Sequence, residues 1–216
     1  MTTVMAPMTI AYYLAFIPAI VLAITFHEFA HARVALAFGD RTAYDRGRVT
    51  LNPLAHVDPL GLLGIIFAGF GWGRPVPVNV SQLRHPKANL LVSAAGPGAN
   101  LLLASVVSLA IRMPWVLQGL RAVGAAEGAK LFVPMFVYLN VMLACFNFLP
   151  LGPLDGAHVL EDLLPSRQAI RFRDFNRRMG YGLLLILILS SYVLPFSPLS
   201  LILVPTINFF SSLLLG

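Results

Sequence analysis

Apolar residues in this chain fall into long runs separated by short polar stretches. Crossing a bilayer as a helix takes about 20 apolar residues. Runs of that order occupy 8–38, 88–112, 130–150, 179–195 and 197–215. The first has 31 residues, about 46 Å of helix at 1.5 Å per residue. That exceeds a hydrocarbon core of about 30 Å, so this run must tilt, kink at Pro18 or protrude past His31. Between the first two runs the pattern changes. Residues 40–58 are mixed and polar, and Val49-Thr50-Leu51 reads as a short strand. Residues 60–72 are apolar but short, with four interior glycines, which suits a re-entrant loop or hairpin better than a span. Arg74-Pro75-Val76-Pro77-Val78-Asn79 reads as extended, because each proline disfavours helix at the residue before it. The pattern predicts an all-α polytopic membrane protein of about five transmembrane helices plus a short membrane-associated β or re-entrant segment. It reads as one domain over 1–216, with a core over about 8–165 and accessory C-terminal helices over 179–215.

Composition agrees. Hydrophobic residues make up 58% of the 216 and charged residues only 11%, where soluble domains carry roughly 25% charged; mean hydropathy is +0.80. Cys145 is the single cysteine, so no internal disulfide and no Cys-rich metal site can form. The Met1–Met8 stretch lacks the basic flank of a cleavable signal peptide, so the first run is expected to be retained. The net charge of +6 does not point to nucleic acid, because no groove-reading motif accompanies it. The basic residues sit instead in loops. Twelve of the 15 fall within 33–87 and 165–178, leaving only Arg112, Arg121 and Lys130 elsewhere. This bias puts those two loops in the cytoplasm and the N-terminus outside. Five spans then leave the C-terminal end inside. His27 and His31 then fall in the cytoplasmic half of the first run, and the expected location is a cell (inner) membrane.

The chemistry lies in the first run. His27-Glu28-Phe29-Ala30-His31 places two imidazoles four residues apart, on one face of a helix, where both can reach one zinc ion. Glu28 sits beside the first imidazole, suitably placed for a general base acting on water. Ionisable residues inside an apolar helix signal function. Catalytic zinc usually has three protein ligands. Asp155 is the best third candidate. It follows Pro150, Gly152 and Pro153, which break the helix at the end of an apolar run, and a carboxylate there is expensive unless a cation compensates it. His158 is the alternative. Asn147 reads at minimum as a cap for a broken helix, His56 as a loop residue, Asn100 as a partner for backbone groups. The small residues Ala94, Ala95, Gly96, Gly98 and Ala99 read as close helix packing.

The chain resembles the site-2 protease family of intramembrane zinc metalloproteases. His27-Glu28-Phe29-Ala30-His31 matches its first motif, and Asn147-Phe148-Leu149-Pro150 leading to Leu154-Asp155-Gly156 matches its second. Ser93 to Asn100 and Gly71 to Val78 resemble the span and the membrane-associated loop between them. The resemblance implies zinc held by His27, His31 and Asp155, Glu28 as general base, and Asn147 positioning the substrate backbone. It implies the minimal form, without PDZ or cystathionine-synthase-like domains, in a bacterial or archaeal cell (inner) membrane. The expected activity is regulated intramembrane proteolysis, with the lipid bilayer and the transmembrane helix of a substrate protein as partners. Arg74–Val80 is placed to pair with an unwound substrate as an added strand. The competing functions are a silent zinc-binding scaffold and a zinc or proton transporter. A scaffold has no use for Glu28, and transporters more often carry internal repeats. The segments 179–195 and 197–215 suit a lateral gate, a homo-oligomer face or simple filling of the bundle.

Overall fold

A computed structural model describes residues 9–194 and 197–216. Residues 8 and 195, at the edges of two expected spans, and the Met1–Met8 stretch lie outside the described residues. Helix α1 spans Ile10–Ala37, and the Thr9 side chain caps it by accepting from the Tyr12 amide. Ala15, Ala19, Ala23, His27, His31 and Ala35 recur every four residues and are all buried. A row at that spacing lies along one helix face, and its alanines let neighbouring backbones approach closely. After the short α2 (Thr42–Asp45) comes α3 (Pro59–Ala68), then α4 (Ala88–Ile111), α5 (Pro114–Ala122) and α6 (Ala126–Asn147). Next come α7 (Asp155–Leu163) and α8 (Ser166–Phe175), which passes through a π turn at Asn176–Gly180 into α9 (Tyr181–Val193); α10 is Pro198–Leu215. Helices α1, α4 and α6 pack on one another, α7 packs on α4, and α10 packs on α6.

Among the described residues four helices are long and apolar enough to cross a membrane: α1, α4, α6 and α10. This is a multi-pass membrane architecture with one fewer bilayer-length helix than the sequence pattern suggests. The expected span at 179–195 becomes α9, with 13 residues, about 20 Å long. Its helix does extend backwards, but through the Arg-rich α8 and π turn, which are too polar to be part of a span. The direction of α10 also differs from expectation. Arg112 Nη2 donates to the Leu214 carbonyl at 2.6 Å, and Ser108 Oγ donates to the same oxygen. The last turn of α10 therefore lies at the end of the bundle where α4 finishes and α1 begins, opposite the 33–87 loops. The four candidate spans, an even number, agree with this.

No strand forms among the described residues, so Val49-Thr50-Leu51 is not one. The β character there reduces to a single antiparallel bridge between Val57 and Gly73. Residues 59–73 instead make a compact hairpin. Asp58 caps the start of α3, its carboxylate accepting the Gly61 amide, and Gly69, in the left-handed region (φ 68°), caps its end. The chain then runs back along the helix. A Cβ on Gly61 would lie 1.9 Å from the Trp72 carbonyl oxygen, and one on Gly71 would lie 1.9 Å from the Gly61 oxygen. The interior glycines thus serve a backbone-on-backbone return. Leu62 and Ile65 of α3 pack against the Ala19, Ile20 and Ile24 cluster of α1, so the hairpin lies beside the apolar middle of that helix.

Candidate metal centre

His27 and His31 project from the buried face of α1 toward α4 and the start of α7. Their Nε2 atoms are 3.1 Å apart. Asp155 Oδ2 lies 3.1 Å from His27 Nε2 and 3.4 Å from His31 Nε2. These residues are the group of donors close enough to hold one metal ion among the described residues. Asp155 is the first residue of α7, and Gly156 makes its position accessible. A Cβ on Gly156 would fall 2.2 Å from the Phe148 carbonyl oxygen, so only glycine lets α7 begin against the end of α6. The intervening loop is tied down as well: the Gly152 amide donates to Asn176 Oδ1 at 2.8 Å, in the π turn.

The donor set fits a metal on three counts. His27 Nδ1 donates to Asn100 Oδ1 at 2.6 Å, and His31 Nδ1 donates to the Val92 carbonyl at 2.7 Å, which leaves each Nε2 of the neutral rings as a bare lone pair. Asp155 Oδ2 is buried without a hydrogen-bond donor. Three lone-pair atoms crowded together repel unless a cation sits among them. Their spacing also suits zinc, since tetrahedral donors at its bond length of about 2.0–2.1 Å stand about 3.3–3.4 Å apart.

The model of Peptidase family M50 matches residues 15–189 of the chain. The chain belongs to peptidase family M50. "Putative zinc metalloprotease YwhC" of Bacillus subtilis is 42% identical over 183 residues, 81% of each chain. "Putative zinc metalloprotease Rip2" of Mycolicibacterium smegmatis is 33% identical over 174 residues, 78% of this chain and 63% of its own length. No solved structure gives a significant match. The family is the one that the two motifs resemble.

In this M50 chain the other predicted site residues fall in different places. Glu28 is half-buried, and its Oε2 accepts the Val76 amide at 2.9 Å. Asn147 ends α6 and donates to the Leu143 carbonyl of its own helix at 2.9 Å; it makes no hydrogen bond to His27, His31 or Asp155. His158, the alternative ligand, is exposed and outside the cluster. His56 is fully buried and donates through Nε2 to the Thr50 carbonyl at 2.7 Å. Burial, reinforced by the charge of Arg48, holds its pKa below the ordinary value, against the opposing effects of the Thr50 bond and Glu28.

Residues that read as bland in the sequence prove central. Asn100 is fully buried. It orients His27 through Oδ1, while its Nδ2 donates to the Ala23 carbonyl at 3.0 Å and to Asn140 Oδ1 at 2.8 Å. Asn140 in turn donates to the Phe136 carbonyl at 2.8 Å. A polar side chain inside an apolar run was the available signal for Asn140. Fixing the imidazole from behind in this way is what outer partners of metal ligands do. Gly96 is equally constrained. A Cβ there would lie 2.3 Å from His31 Nε2 and 2.7 Å from His27 Nε2. Gly96→Ala is therefore expected to lower zinc affinity about 10- to 100-fold while leaving the helices formed. Chelator competition on the purified variant checks this, and wild-type affinity would show that α4 simply shifts.

The expected pairing edge at Arg74–Val80 is largely consumed by the chain itself. The Arg74 amide donates to the His56 carbonyl at 2.6 Å, that of Val76 to Glu28, and that of Asn79 to Asp40 Oδ2 at 2.7 Å. Pro75 and Pro77 have no amide to offer. Burial raises the Asp40 pKa, but hydrogen bonds from Thr42 and the Asn79 amide outweigh it and hold the carboxyl below its usual range. The anchor at Asn79 is thus a charged one.

Proposed function

We propose that the chain is a zinc metalloendopeptidase that cleaves transmembrane segments of membrane proteins within the bilayer. The observation that carries this reading is the convergence of His27, His31 and Asp155 lone pairs inside a bundle of bilayer-length helices, with the Glu28 carboxylate one residue from the first ligand. His27, His31 and Asp155 hold the ion. Zinc at this position supplies a Lewis acid that polarises a peptide carbonyl and makes water more acidic.

The chain's own residues do the rest. Asn100 and the Val92 carbonyl keep both imidazoles from rotating, so their Nε2 atoms face inward in the right tautomer. Glu28 has one oxygen engaged by the Val76 amide and the other available. It takes a proton from the attacking water and passes it to the leaving amine as the C–N bond breaks. Asn147, beyond its bond to Leu143, presents an amide oxygen at the end of α6 for a substrate backbone N–H. The hairpin over residues 59–73 is the membrane-associated element that admits water beside α1. The concentration of basic residues in the 33–87 and 165–178 loops supports a position for the hairpin and the site in the cytoplasmic half of a bacterial membrane.

The direct test combines metal analysis with cleavage of a transmembrane peptide by the purified protein in lipid. One zinc per chain is expected, with cleavage that a chelator abolishes and added zinc restores. Bound zinc without cleavage of any transmembrane peptide would indicate a scaffold. Zinc flux into vesicles without cleavage would indicate a transporter.

A further inference from the structure

The segment Gly73–Asn79 lies as a strap across Glu28, and its path is set by a residue that neither motif includes. Arg48 Nη2 donates to the Arg74 carbonyl at 2.5 Å and Nη1 donates to the Pro75 carbonyl at 3.3 Å. The next amide along, that of Val76, holds Glu28 Oε2. Among the described residues this is the one hydrogen bond to the Glu28 carboxylate. The strap also presses flat against α1. A Cβ on Gly73 would lie 2.9 Å from Ile24 Cγ2, 3.3 Å from the His56 carbonyl oxygen and 3.6 Å from Glu28 Oε1. At its far end the Asn79 amide is anchored on Asp40, which is fully buried.

We propose that Arg48 is a positioning residue for Glu28, acting through the strap: its guanidinium fixes the Arg74 and Pro75 carbonyls and so sets the Val76 amide that aims the carboxylate. Two successive carbonyls of an extended chain point in different directions, and a planar fork with several donors can hold both at once. A carboxylate on a three-bond side chain otherwise has rotamers that turn it away from the metal ligands. Holding Oε2 leaves Oε1 as the oxygen free for the proton. The strap therefore contributes to catalysis through its backbone, and the pattern Arg-Pro-Val-Pro serves it well. The prolines remove the neighbouring amides and stiffen the extended path, so the Val76 amide is presented to Glu28 without competing donors beside it.

This inference rests on the reading of Glu28 as the base, and the experiment separates the two. Wild type, Glu28→Gln, Arg48→Ala, Arg48→Lys and Gly73→Ala are compared for zinc content, for kcat and KM on a transmembrane peptide, and for hydrogen exchange of the 73–79 backbone. Arg48→Ala is expected to keep its zinc, to exchange faster across 73–79, and to lose about 10- to 100-fold in kcat, the usual scale for a misplaced catalytic group, with KM changed less than about twofold. Arg48→Lys should recover part of kcat, since an ammonium engages one carbonyl at a time. Unchanged kcat in a zinc-loaded Arg48→Ala protein would overturn the proposal. So would a rise in KM alone, which would make the strap a substrate contact. Should Arg48→Ala fail to fold, Gly73→Ala decides: its methyl lifts the strap from α1, and unchanged kcat there is equally fatal. Faster strap exchange in Arg48→Ala beside a zinc-loaded wild type that cleaves nothing would count against the protease reading and leave the clamp intact.

Discussion

Glu28→Gln is expected to purify with the zinc content of the wild type and to cleave about 10²- to 10⁴-fold more slowly, the range for loss of a general base. The substitution preserves size and shape. The glutamine oxygen still accepts the Val76 amide that engages Oε2, so the strap has no reason to move. His27, His31 and Asp155 are untouched, and their hydrogen-bonded backing on α4 stays in place. What disappears is the ability to take a proton and give it back. Metal analysis together with single-turnover cleavage of a transmembrane peptide measures both halves of the expectation. A metal-loaded variant that cleaves at the wild-type rate would remove Glu28 from the mechanism.

Asp155→Ala is expected to release the metal. Two imidazoles with Nε2 atoms 3.1 Å apart remain, one protein ligand short of a catalytic zinc site. Changing an outer-shell partner already costs 10- to 100-fold in metal affinity, so loss of a direct ligand should exceed about 100-fold. The substitution leaves Gly156 in place, and with it the close start of α7 that this glycine permits, so the fold has no cause to change. Titration of the detergent-solubilised variant against a chelator of known affinity gives the number. An unchanged affinity would dismiss Asp155 as ligand; His158, the other candidate near it in sequence, is exposed and outside the cluster.

Much of this was legible in the sequence because the responsible physics is local or repetitive. Bilayer-length apolar runs announce α1, α4, α6 and α10. The four-residue spacing of His27 and His31 guarantees a shared helix face. A proline-and-glycine-broken run ahead of Asp155 marks a carboxylate that needs a cation. The fifth expected span is not among the bilayer-length helices of the described residues, for an intelligible reason. Hydropathy sees a run of leucine and isoleucine in residues 179–195, but a helix that begins in arginines has only 13 residues left for the apolar part. The expected strand at Val49–Leu51 failed because strand propensity requires a partner, and Val57 with Gly73 supplies only one bridge.

The remaining features depend on contacts between residues far apart in the chain. Gly96 and Asn100 look alike in the sequence, small or polar residues on a packing helix. Packing of α1 on α4 turns the first into clearance for two imidazoles and the second into the acceptor that sets a tautomer. Asn140, Asn176 and Arg48 carry no motif, and their roles exist only because α6, the π turn and the loop after α2 meet the site from three sides. Identity and spacing along a chain say which groups can bind a metal or move a proton. Which way those groups point, and what holds them there, is set when helices pack, because a hydrogen bond between residues 73 positions apart, as between His27 and Asn100, has no local signature.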